Sequence, residues 1–142
     1  MPDDSRLVAD AIHRAAIRLL RTLRRSDAET GVSAPRLSAL SVLVFGGAMS
    51  LKDLAAAEQV RAPSMSRLVA ELEAAGLVRK RADAEDRRAV RIEATAAGRK
   101  VMEEGRARRL TALTTAVRAL SARDRATLAR AAVLMRQIAD VA

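Results

Sequence analysis

At 142 residues the chain has room for one compact domain and not for two independent ones. Half of it is hydrophobic, yet Phe45 is its only aromatic residue, so the core must be aliphatic and lean, a composition that favours help from a partner subunit. It has no cysteine, which excludes disulfides, thiolate metal sites, cysteine nucleophiles and thiol-based sensing, while 26 Lys and Arg against 17 Asp and Glu leave a charge of +9 that suits a polyanion.

From Asp3-Asp4-Ser5, apolar residues recur at Val8, Ile12, Ala15, Leu19 and Leu23, the spacing of an amphipathic helix that should stop near Ser26. Arg14, Arg18, Arg21, Arg24 and Arg25 crowd its second half, where cations suit the negative end of the helix dipole, and read as a solvated face. After a loop holding Gly31, Ser33-Ala34-Pro35 opens a second helix with a buried stripe of Leu37, Leu40, Leu43 and Val44, ended by Gly46-Gly47. Ser50 caps a short third helix, with Asp53 in its first turn and Leu51, Leu54 and Ala55 inward. After a turn over 58–62, Pro63 opens a fourth helix burying Met65, Leu68, Val69 and Leu72, with Gly76 as its left-handed cap.

Beyond Gly76 the period changes from helical to near-alternating, which predicts strands over 77–81 and 90–94 around a polar tip, 82–89. Thr95 caps a fifth helix carrying Val101, Met102, Leu110, Leu113 and Val117. Ser121 with Asp124 resembles a capping box for a sixth, expected to bury Leu128, Leu134, Met135, Ile138 and Val141. No internal repeat or Gly-, Ser- or Pro-rich linker interrupts the chain. The fold class expected is mainly α with a small β-hairpin.

A short helix, a tight turn and a second helix with a small polar outer face is what major-groove reading requires, because the groove is ~12 Å wide and admits one helix. Residues 51–76 supply that arrangement, with Ser64, Ser66 and Arg67 on the outward face and Arg61 just before it. The hairpin tip Asp83-Ala84-Glu85-Asp86-Arg87-Arg88 is flanked by Arg79, Lys80, Arg81 and Arg91, so arginine can enter an adjacent minor groove. Asp86 lies close enough in sequence to pair with Arg88 or Arg91 and hold the tip.

On three features the stretch Leu51 to Gly98 resembles the winged helix-turn-helix of the MarR family of bacterial regulators. The run from Arg67 to Val78 is similar to the family's recognition helix entering the wing, Asp86-Arg87-Arg88-Ala89-Val90-Arg91 matches its Asp-x-Arg-x-x-Arg wing motif, and Thr95-Ala96-Ala97-Gly98 matches its Thr-x-x-Gly helix opening. The resemblance implies that Ser64, Ser66 and Arg67 face the major groove, that Arg88 reaches the minor groove, that Arg87 touches phosphate, and that Asp86 with Arg91 braces the wing. It also implies a two-fold homodimer through the first, fifth and sixth helices, setting two recognition helices ~34 Å apart on a pseudo-palindrome. Residues 33–94 would then be a DNA-binding lobe and 1–32 with 95–142 a helical dimerisation lobe of one domain.

Family resemblance further implies a repressor released by a small-molecule effector, whose cleft here would be aliphatic with arginine as an anion partner, the effector itself being unreadable. The rival is a non-specific architectural DNA binder or helical interaction protein, which would share the charge and the helices. An enzyme is not expected, since no phosphate-binding glycine loop, Ser-His-Asp or Cys-His set stands in the chain, and no cofactor is called for. A metal is not expected either. His13 is the single histidine and reads as a surface or interface residue, and Met49, Met65, Met102 and Met135 read as core. Acids near the N-terminus where a signal peptide needs cations, and no apolar run near ~18 residues, predict a cytoplasmic protein free of membrane.

Overall fold

The computed structural model of the chain describes residues 3–142, among which six α-helices and one antiparallel hairpin form. These residues fall into two compact units, 3–107 and Arg108–Ala142. In the first, α1 covers Ser5–Arg24, opened by the Asp3 carboxylate, which accepts the Ser5 amide at 2.9 Å. A 3-10 helix, Arg25–Thr30, follows where a plain loop was expected, because Arg24 and Arg25 keep right-handed helical torsions. Gly31 ends it with φ 69°, a conformation glycine adopts without strain.

Helix α2 spans Ala34–Gly46, α3 Leu51–Ala57 and α4 Ala62–Ala74, with a proline in the first turn of α2 and of α4. Ser50 caps α3 as its position predicts, its hydroxyl oxygen accepting the Asp53 amide at 3.1 Å. Strands β1, Val78–Ala82, and β2, Val90–Ala94, pair from Val78 opposite Ala94 to Ala82 opposite Val90. Met49 adds one rung beyond the hairpin: its amide donates to the Ile92 carbonyl (3.1 Å) and the Ile92 amide donates back (2.8 Å).

One aliphatic core gathers these elements. Leu40 and Leu43 of α2, Leu54 of α3, Met65, Val69 and Leu72 of α4, Val78 and Ile92 of the hairpin and Met102 are buried together, while Leu37, Val44, Met49, Leu51 and Leu68 pack at its edge. Helix α5, Ala96–Arg118, begins on this core and carries Gly98, Met102 and Gly105 as its buried residues. Its start is fixed by Thr95, whose hydroxyl donates to the Gly76 carbonyl (2.6 Å) and accepts the Gly98 amide (3.1 Å), while the Thr95 amide donates to the Leu77 carbonyl (3.0 Å). A Cβ at Gly98 would lie 2.1 Å from the Leu77 oxygen, so only glycine permits this approach.

In the second unit α6 spans Ala122–Ala139. Ser121 caps it twice over, its hydroxyl accepting the Asp124 amide (3.1 Å) and donating to the Asp124 carboxylate (2.7 Å). The expected burial of Leu128, Leu134, Met135, Ile138 and Val141 is corrected: all five are exposed, from 42% at Leu134 to 86% at Val141. An apolar stripe states which face of a helix avoids water and is silent about what covers it. Val8 and Leu19 of α1 are likewise half-exposed. No helix among the described residues is long and apolar enough to cross a membrane.

Candidate nucleic-acid interface

The turn between α3 and α4 sets the direction of α4. Gln59 takes the left-handed conformation, φ 54°, while the Val60 amide reaches back to the Ala55 carbonyl (3.0 Å) and the Gln59 amide to Ala56 (3.2 Å). That pair of bonds is the six-to-one and five-to-two closure of a Schellman cap. The far end of α4 closes the same way through Gly76, φ 73°, with Leu77 bonded to Leu72 (2.9 Å) and Gly76 to Glu73 (2.9 Å). With Met65, Val69 and Leu72 turned into the core, the helix period leaves Ser64, Ser66 and Arg67 exposed, and Arg61 stands exposed at the N-cap.

These side chains divide over two hollows. Ser64 and Arg67 share one with Pro63 and Leu68, whereas Ser66 opens into a second, between α4 and the hairpin, lined by Leu51, Val69, Lys80, Val90 and Ile92. Arg61, Arg67, Arg87 and Arg88 make no side-chain hydrogen bond or ion pair among the described residues, and all are exposed. The remaining hairpin arginines are committed within the chain. Arg79 donates to the Glu93 carboxylate and Arg81 pairs with it at 3.3 Å. Arg91 donates to Asp83 (2.6 Å) and to the Ala48 carbonyl (3.1 Å).

The pairing expected between Asp86 and Arg91 is therefore corrected, while the alternative partner, Arg88, is met through its backbone. Arg91 pairs with Asp83, while Asp86 accepts the backbone amide of Arg88 at 3.0 Å. The reason lies in register: Arg81 faces Arg91, which sets Asp83 at the base of the tip beside Arg91, whereas Asp86 sits beyond it in the turn. The same Asp83 carboxylate accepts the amides of Glu85 (2.8 Å) and Asp86 (3.4 Å).

Residues 30–89 match the family model described as MarR family. Over 140 residues, 99% of this chain and 97% of the relative, the chain is 34% identical to an uncharacterized HTH-type transcriptional regulator of Mycobacterium leprae. The chain belongs to the MarR family. In fold it is similar to a MarR family protein of Bacillus stearothermophilus, with TM-score 0.80 and 22% identity over 96% of this chain and 97% of that one. It is also similar to a MepR variant of S. aureus solved with a bound oligodeoxyribonucleotide, with TM-score 0.71 and 20% identity over 95% and 98%.

As a MarR family transcriptional regulator, the chain carries one family motif whose physical content is now visible: Thr95 and Gly98 seat α5 on the Gly76-Leu77 turn. Sequence reasoning missed Gln59, Asp83 and the Met49 rung. Only Asp83 left a signal, as a carboxylate eight residues from Arg91 across a hairpin. The Arg91 hydrogen bond, then the Glu85 amide, hold the Asp83 carboxyl below the usual aspartate range, and Arg79 above all does the same for Glu93. Because the folded value is depressed, the contribution of Asp83 to wing order is complete above the usual aspartate value of about 4 and is lost as pH falls through the lower folded one. Arg91→Ala should return the Asp83 midpoint upward in a carboxyl-carbon NMR titration; an unmoved midpoint would contradict the brace.

Proposed function

We propose that this regulator binds double-stranded DNA sequence-specifically as a homodimer in the cytoplasm, a repressor that a small-molecule effector releases. The observation that carries the reading is the division among the arginines of residues 51–94: those of the hairpin strands are bonded within the chain, while Arg61 and Arg67 at α4 and Arg87 and Arg88 at the tip project without a side-chain partner among the described residues. In this reading Ser64, Ser66 and Arg67 enter the major groove, Arg88 the adjacent minor groove and Arg87 meets phosphate, while Asp83, not Asp86, holds Arg91 to brace the wing. The DNA-bound MepR variant of the same fold supports it. Residues 33–94 form the DNA-binding lobe, and 1–32 with 95–142 the dimerisation lobe.

The uncovered apolar residues of α1 and of α6 support the dimer, since large exposed apolar faces mark association surfaces. Ile138→Glu should convert the dimer to monomer in light scattering at micromolar concentration. A dimer that survives it would remove α6 from the interface. The central test is fluorescence anisotropy on DNA upstream of the protein's own coding region against scrambled DNA at ~150 mM salt. A preference of ~10³-fold with two subunits per site establishes the specific regulator, and equal affinity for both sequences favours the architectural binder instead. Effector candidates are then scored by release of that DNA.

A further inference from the structure

Gln59 is the only non-glycine with positive φ among the described residues. At 54° an L side chain crowds its own carbonyl, and glycine would adopt the same torsion freely, as it does at the matching cap position of α4, Gly76. The cap itself uses only backbone: the Gln59 and Val60 amides close on Ala56 and Ala55, bonds that glycine would make equally well. Nor does the side chain serve the fold, for it is exposed and its carboxamide makes no hydrogen bond among the described residues. The chain thus keeps a strained residue whose side chain has no internal role, two positions before exposed Arg61 and five before exposed Ser64.

We infer that Gln59 is a DNA-positioning residue whose carboxamide donates a hydrogen bond to a phosphate oxygen at the rim of the major groove. The inference rests on the DNA-binding reading proposed above. A turn that leads into a groove-reading helix stands at the rim of the groove and not on its floor, where phosphates are the nearest acceptors. A neutral donor there adds affinity without releasing a counterion, so its loss leaves the salt dependence alone, unlike loss of an arginine. It also adds no base discrimination, so specific and random DNA are affected alike.

The test uses the full-length protein, a random-sequence duplex of about 30 base pairs and the upstream duplex, at two salt concentrations. Gln59→Gly should raise the melting temperature by a few degrees while weakening both duplexes about three- to tenfold, the worth of one hydrogen bond, with an unchanged salt slope. Gln59→Glu keeps the backbone strain and the side-chain length, so its melting temperature should stay near the parent's while repulsion from phosphate weakens binding further. Parent binding that Gln59→Gly leaves intact overturns the Gln59 contact alone. Failure of the parent to bind either duplex overturns this contact and the DNA-binding reading together.

Discussion

Gly98→Ala is expected to destabilise the protein by about 3 kcal/mol or more and to lower its melting temperature by more than about 10 °C. The added methyl would stand 2.1 Å from the Leu77 carbonyl oxygen and 3.1 Å from Cδ1 of Leu40. A leucine methyl can rotate away, but the Leu77 carbonyl cannot, because it already accepts the Thr95 amide and belongs to the turn that leaves α4. Relief requires lifting α5 off the core, which breaks the Thr95 hydroxyl bonds to Gly76 and Gly98 and uncovers Met102. Gly31→Ala is the control. Its φ of 69° adds a torsional cost that Gly98, without a positive φ, does not have, but nothing lies within 4 Å of the added atom, so only that cost of about 1 kcal/mol applies. Calorimetry of both variants decides the matter, and a Gly98→Ala loss no larger than that of Gly31→Ala would show that the turn gives way to the added methyl at little cost.

Arg67→Ala and Arg88→Ala are expected to weaken DNA binding in two distinguishable ways. Arg67 projects from the first turns of α4, where a guanidinium can take both acceptors of a guanine edge, so its loss should cost about 1–3 kcal/mol on the operator and narrow the gap between operator and scrambled DNA. Arg88 stands on the hairpin tip, which the proposed reading sets at the minor groove and its phosphates, so its loss should lower affinity for both sequences and reduce the salt slope by about 1. Anisotropy at several salt concentrations reads both quantities. Undiminished discrimination by the Arg67 variant would mean that another face of α4 meets the bases.

Much of this was legible because it is local. Ser50, Pro63, Gly76, Thr95 and Ser121 each mark a helix end through an interaction with residues no more than a few positions away, and each stands where its chemistry predicts. The outward triad of Ser64, Ser66 and Arg67 follows from the helix period once Met65, Val69 and Leu72 are given to the core. Choosing Asp83 over Asp86 needed the strand register, since two aspartates three residues apart in one turn are equivalent until the hairpin is drawn. The Met49 rung joins residues 43 positions apart, and a single residue of strand has no period to read. Exposure of the α6 stripe was beyond local reading for a different reason: amphipathicity fixes direction and is silent about the covering partner.

The hairpin is anchored to its own unit at two places, by Thr95 on the Gly76-Leu77 turn and by the Met49 rung with the Arg91 bond to Ala48 just before α3. Helix α4 and the wing therefore behave as the two jaws of a fixed calliper. If a duplex docks on them as proposed, these bonds resist any change of the gauge, and misfit is expected to fall on the DNA as bending and groove compression. On the proposed reading, base steps never touched by the protein would then enter selection through their stiffness, and an operator would be chosen partly for how easily it yields.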